Sequence, residues 1–179
     1  MSHSAEGRFE YPTGKDGAIA LGYDPSILED IQPELLNSFC GVGNLFSADE
    51  IKPGSAVLDV GSGAGFNLIV ASRLTGPQGR VCGIDLTEEM IARAKENLER
   101  LGTANVEIKH VDSEEIPFAD QSFDVVISNS VINLSPFKQD LFGEIYRVLK
   151  PGGKLQFADI VSDGEVPSSL RGSLDAWAQ

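Results

Sequence analysis

Little in this sequence is basic, sulfur-bearing or continuously apolar. Lysine and arginine together number 14 against 27 aspartates and glutamates, a formal net charge of −13. So acidic a surface repels nucleic-acid phosphates unless its few cations cluster; they do not, and no nucleic-acid partner is expected. There are two cysteines, Cys40 and Cys82, and two histidines, His3 and His110. Neither cysteine belongs to a CxxC or Cys/His spacing, so neither a zinc site nor a disulfide framework is indicated. Both His110, at the end of an apolar strand pattern, and Cys82, inside one, read as structural. No apolar run approaches the roughly 20 residues needed to cross a bilayer, so no membrane partner is expected. Residues 1–10 are small and polar without the apolar stretch of a secretory signal, which makes a cytoplasmic location the expectation. Repeats, low-complexity tracts and linkers rich in Pro, Gly or Ser are also missing, so the chain reads as one unit.

What is present is a regular alternation from Ala56 onward. Ala56 to Val60 reads as a strand, Phe66 to Leu74 as a helix and Val81 to Asp85 as a strand. Glu88 to Leu101 follows as an amphipathic helix with Thr87 as N-cap and Gly102 as stop. Val106 to His110 and Phe123 to Ser128 read as the third and fourth strands. Leu141 to Leu149 is then a helix stopped by Pro151-Gly152-Gly153, and Lys154 to Ile160 a fifth strand. Strands separated by helices imply right-handed crossovers, hence an α/β, doubly wound, mostly parallel sheet. Ahead of it, Pro25 to Phe39 looks helical and Cys40 to Asn44 looks like a turn. Residues 1–50 are expected to form a helical lid or cap on a binding domain spanning 51–179.

Gly61, Gly63 and Gly65 stand between the first strand and its helix, where residues without Cβ let the backbone turn sharply and approach a ligand closely. The helix N-terminus then faces that ligand and favours an anion, either a nucleotide pyrophosphate or a carboxylate. A dinucleotide fingerprint requires glycine at its sixth position; here Phe66 follows Gly65, giving GxGxG. Asp59 ends the first strand with a carboxylate able to balance a ligand's positive charge. Asp85 ends the second, 20 residues beyond Gly65, the position of an acid that takes ribose hydroxyls. Asp112, in Val111-Asp112-Ser113, follows the third and suits a hydrogen bond to an adenine amino group, with Leu86 and Ile116 as apolar walls. A GxGxG alone also makes a tight turn, but acids at three successive strand ends favour a ligand.

These features resemble the class I S-adenosylmethionine-dependent methyltransferases over roughly Ile51 to Ile160. The resemblance rests on Leu58-Asp59-Val60-Gly61-Ser62-Gly63-Ala64-Gly65, on Asp85 and Asp112, and on Leu149-Lys150-Pro151-Gly152-Gly153. It implies a Rossmann-like fold and S-adenosyl-L-methionine as cofactor, held by Asp59, Gly61, Ser62, Gly63, Gly65, Asp85, Leu86, Asp112, Ser113 and Asn129. Against a complete seven-stranded sheet of that type, Val161 to Gln179 are too few for the last two strands. Within the superfamily, Ser38-Phe39-Cys40-Gly41-Val42-Gly43-Asn44 and the run from Ile127 to Pro136 are most similar to arsenite methyltransferases and their relatives. In those enzymes thiolates hold soft trivalent arsenic. Ser130 matches the family's thiol in the Asn129 motif, and Cys40 lies near a turn where another occurs, so Cys40 and Ser130 are the candidate substrate contacts. No residue stands out as a general base. Leu174 to Gln179 resemble a segment that in relatives runs into a further thiol or selenol, which suggests truncation at a selenocysteine codon, an engineered boundary being the alternative. The expected activity is methyl transfer to a small molecule, arsenite-like or a hydrophobic metabolite methylated at carbon or oxygen. The other readings are a binding-only module and, disfavoured by Phe66, a dehydrogenase.

Overall fold

The computed structural model describes residues 13–161. Its sheet holds five parallel strands, β1 (Ala56–Val60), β2 (Arg80–Asp85), β3 (Val106–His110), β4 (Phe123–Asn129) and β5 (Leu149–Ala158), in the order β3-β2-β1-β4-β5. In chain order the helices are α1 (Gly14–Ala20), α2 (Pro25–Leu28), α3 (Pro33–Asn37), α4 (Phe66–Thr75), α5 (Glu88–Arg100) and α6 (Lys138–Val148). Strand β1 is covered on both faces, which is why Val57 to Val60 are all buried and the run is apolar except at Asp59. The order reverses between β1 and β4, and at such a switch point the diverging connections leave a crevice beyond the carboxyl ends of the strands.

Helix α4 is apolar nearly all round because it lies between the sheet and the N-terminal helices. Its Phe66, Ile69 and Val70 share a core with Tyr23, Leu28, Leu35 and Phe39, while its Leu68 and Ala71 pack on Val57, Val81 and Ile127. On the opposite face Leu141, Ile145 and Val148 of α6 meet Leu58, Val60, Cys82 and Val126. Burial of each such side chain contributes roughly 1.5 to 3 kcal/mol. Helix α5 buries Ile91, Ala94 and Leu98 and exposes the i,i+4 pairs Glu89–Arg93 and Glu96–Arg100.

Three local readings change. The span from Pro25 to Phe39 is two short helices rather than one, each opening on a proline, because Pro33 has no N–H to donate and its ring clashes with the preceding turn. Helix α1, in a glycine-rich stretch with little periodicity, was not expected. Finally, α6 begins at Lys138 and β5 already at Leu149, which pairs with Phe123, with a bulge before Val125 pairs with Lys154. Asp124 fixes that early start: its carboxylate accepts the Ala56 N–H at 2.8 Å and takes the Lys150 ammonium at 2.9 Å. Pro151 is tolerated because, among the described residues, β5 is an edge strand.

That edge is apolar. Phe137, Phe142, Tyr146, Phe157, Ile160 and Val161 are all exposed, and the rings of Phe142 and Phe157 meet edge to face, 6.2 Å between centroids. The segment Leu174 to Gln179 lies outside the described residues.

Candidate functional site

The glycine loop is pinned from below by Ile84, whose carbonyl accepts the Gly61 and Ser62 N–H groups at 2.9 and 3.0 Å. Gly61, Gly63 and Gly65 have φ of +74°, +52° and +94°, left-handed values that L side chains rarely adopt. Their surroundings differ. A Cβ at Gly61 would stand 2.3 Å from Val131 Cγ2, and one at Gly65 would stand 3.3 Å from the Ala94 Cβ; one at Gly63 would meet nothing within 4 Å. Packing thus excludes a side chain at the first glycine and crowds one at the third, whereas the second borders open space. The ten-residue α4 starts directly after Gly65, and the first N–H groups of a helix have no intrahelical acceptor.

Asp85, at the end of β2, accepts the Gly63 N–H at 2.8 Å on Oδ2 and the Thr87 N–H at 2.9 Å on Oδ1. Its carboxylate therefore braces the loop as well as bordering it. Leu86 beside it is 64% exposed. The Val111 N–H donates to the Asp85 carbonyl at 3.0 Å, so the exposed Asp112 and Ser113 are carried to the same strand-end region. Thr87 sits at the N-cap of α5 without a side-chain cap bond.

Asp59 is the anomaly of the core: 0% exposed, with no hydrogen-bond partner on either carboxylate oxygen. Burial, and secondarily the charge of Asp85, pushes its carboxyl up to about 8. The Ser62 hydroxyl is likewise buried without a partner, lying where a Cβ on Gly83 would approach it to 2.9 Å. Over this face lies Tyr23, buried, its ring packed edge to face on Phe39 and Phe66 at 5.5 and 5.3 Å. The hydroxyl lies 3.3 Å from both the Gly43 carbonyl and Asn67 Oδ1, and burial pushes it well above the ordinary phenol range. Tyr23 and Asn67 were not singled out in the sequence; neither lies in a motif, and only the packing of the N-terminal helices brings them here.

On the β4 side, Asn129 accepts the Val42 N–H on Oδ1 and donates from Nδ2 to the Gly43 carbonyl, both at 2.9 Å. Its amide thus clamps the turn from Gly41 to Asn44. The turn needs its glycines, since a Cβ on Gly41 would stand 2.5 Å from Asn129 Nδ2 and one on Gly43 would stand 2.5 Å from the Ala158 Cβ. Ser130 has φ +60°, donates its N–H to the Ala158 carbonyl at 2.9 Å, and keeps a buried Oγ without a partner. A non-glycine residue held in this region stores strain, as functional sites do. Asn133 is a further unforeseen member: its N–H bonds Asp159 at 2.8 Å while its Oδ1 is buried and unsatisfied. Cys40 is exposed, yet the protein around it raises its thiol above the ordinary range. Cys82 is in the core, its thiol pushed up to about 11 by burial.

Among the described residues no three His, Cys, Asp or Glu side chains form a metal cluster, and no helix is long and apolar enough to cross a membrane. A cleft of about 480 Å³ opens at the far end of the sheet, lined by Tyr146, Arg147 and Lys150. Its cations are engaged by Asp120, Glu144 and Asp124, and it is remote from the strand ends where the loop acids gather.

A family model described as a methyltransferase domain matches residues 51–179. The arsenite methyltransferase of Halobacterium salinarum is 41% identical over 160 residues, which is 89% of this chain and 40% of the relative. The chain thus spans less than half of that relative's length. An arsenic(III) S-adenosylmethionine methyltransferase structure from Chlamydomonas reinhardtii superposes with a TM-score of 0.74 at 34% identity, covering 86% of this chain and 55% of the other. A SAM-dependent methyltransferase from Aquifex aeolicus matches at TM-score 0.59 and 34% identity, over 82% of this chain and 74% of that one.

Proposed function

Because this chain belongs to the S-adenosylmethionine-dependent methyltransferases, we propose that it transfers a methyl group to a small molecule lodged at the carboxyl ends of β4 and β5. The residues fit the cofactor on three counts. The open space at Gly63 admits a ligand against the backbone, the start of α4 suits its carboxylate, and Asp59 offers an uncompensated buried carboxyl to its positive charge. The last of these carries the reading, because a core acid without a partner among the described residues is costly unless a ligand supplies one.

When bound, the cofactor supplies an activated methyl on a sulfonium sulfur. Asp59, Gly61, Ser62, Gly63 and Gly65 hold its amino-acid end. Asp85, Leu86, Asp112 and Ser113 border the nucleoside, Asp85 by accepting ribose hydroxyls on the lone pairs its two backbone bonds leave unused. Asn129 acts by holding the turn from Gly41 to Asn44 over the acceptor space, and Tyr23 by closing that layer against water. The acceleration comes from in-line placement, since an activated donor needs no dedicated base beside a nucleophilic acceptor.

The acceptor is met by the Ser130 hydroxyl and the Asn133 amide oxygen, both buried and unsatisfied. Hydroxyl and amide oxygens suit an organic acceptor bearing hydrogen-bonding groups, whereas trivalent arsenic favours several sulfur ligands. With Cys40 and Cys82 its two cysteines, the chain is expected to bind S-adenosylmethionine but not to methylate arsenite at a useful rate. Ser130→Cys is expected to raise arsenite affinity. Mass-spectrometric detection of methylated arsenic against methylated small phenols and enols checks this. Robust arsenite methylation by the unaltered chain defeats the acceptor assignment; failure to bind S-adenosylmethionine defeats the reading as a whole.

A further inference from the structure

Asp59 occupies the middle of the sheet, with Gly83 of β2 and Ile127 of β4 beside it in register. Neither carries charge. From β2 the titratable group acting on it is Asp85, another acid, and from the N-terminal layer it is Tyr23, a neutral phenol. The polar neighbours in the loop and α4, Ser62 and Asn67, do not titrate. Among the described residues no cation offsets the carboxyl, and neither oxygen accepts a hydrogen bond. An acid so placed is favoured in its neutral form, because burial penalises the carboxylate and a nearby like charge adds to the penalty.

Resting on the reading of this loop as the cofactor site, we infer that the protein takes up its cationic ligand with release of one proton, and that the proton comes from Asp59. The balance is simple: ligand cation and neutral Asp59 become a complex of ligand cation and Asp59 carboxylate, and one proton passes to solvent. The incoming positive charge reverses the preference, since an opposite charge within a few ångströms favours the ionised form. Burial already holds the unliganded carboxyl up to about 8, so at neutral pH the proton is there to be lost.

Calorimetric titration of the 179-residue chain with S-adenosylmethionine at pH 6.5, in two buffers of different ionisation heat, tests this. The expected result is close to one proton released per ligand bound, and an apparent affinity that rises about tenfold from pH 6 to pH 7, where the ligand's amino group is still an ammonium. Asp59→Asn is expected to release none and to show a flat profile. Binding without proton release in the parent chain, or equal release in both proteins, overturns the inference while leaving the cofactor reading intact.

Should neither protein bind, the cofactor reading falls, and the unliganded chain still tests the protonation of Asp59. A carboxyl that keeps its proton to about 8 when folded, but to about 4 when unfolded, contributes stability that is full below pH 4 and lost as pH rises through 8. The parent's stability to urea should therefore fall more steeply than that of Asp59→Asn between pH 5 and pH 8. Equal slopes overturn the inference on this measurement too.

Discussion

Gly63→Val is expected to abolish S-adenosylmethionine binding while leaving a folded protein, whereas Gly61→Val is expected to act first on stability. Both positions have left-handed φ, so each substitution costs about 1 to 2 kcal/mol through the backbone alone. Beyond that cost the two diverge. At Gly63 an added Cβ would meet no atom beyond its chain neighbours within 4 Å, so the side chain is directed into the space the ligand needs rather than into the fold. At Gly61 the added Cβ would lie 2.3 Å from Val131 Cγ2 and 2.6 Å from its Cγ1. Relief requires moving Val131, and with it the strained Ser130 and the turn it anchors on β5. Overpacking of this kind adds about 1 to 3 kcal/mol. Thermal melts and calorimetry on the two variants separate the effects. A Gly63→Val protein that binds normally in its folded fraction means that the residue serves only the turn.

Asp85→Ala is expected to weaken S-adenosylmethionine binding roughly a hundredfold, about 2.7 kcal/mol. Two losses combine. The ribose hydroxyls lose a charged acceptor, at about 1.5 to 3 kcal/mol per bond. The Gly63 and Thr87 N–H groups also lose theirs, so the loop is no longer tied to β2 at the point where it borders the ligand. A smaller effect runs the other way, because removing the Asp85 charge eases ionisation of Asp59. Asp85→Asn keeps one acceptor oxygen and should fall between. Unchanged affinity in an Asp85→Ala protein with native circular dichroism means that the ribose lies elsewhere.

The elements that carried a strong local signal were legible from sequence. Strands β1 to β4 and helices α4 and α5 fall within a residue or so of their expected limits, because their boundaries are written in glycine, in acids at strand ends and in apolar periodicity. The loop glycines were legible for the same reason, but not their division of labour, which depends on Val131 and Ala94 arriving from other elements. The N-terminal layer was less legible. Its helices are short, two of them begin on prolines, and their packing on α4 rests on Tyr23, Phe39 and Phe66, 27 residues separating the last two. Asn129 reads from sequence as a cofactor contact; what the structure adds is that its amide also holds the turn between Gly41 and Asn44. No single-position signal distinguishes a side chain that meets a ligand from one that holds the backbone facing it.

The apolar flank along α6 and β5 also bears on how the protein behaves in bulk. Among the described residues, a strand edge without a further partner strand lies beside exposed Phe142, Tyr146 and Phe157, and such a surface is adhesive. At neutral pH a net charge of −13 holds copies apart. That protection fails from two directions: by protonation as pH approaches the isoelectric point near 4.4, and by screening as salt shortens the Debye length to about 3 Å at 1 M. Colloidal stability is therefore an electrostatic property of the whole surface, and the narrowest conditions for handling the protein are acidic or strongly saline ones.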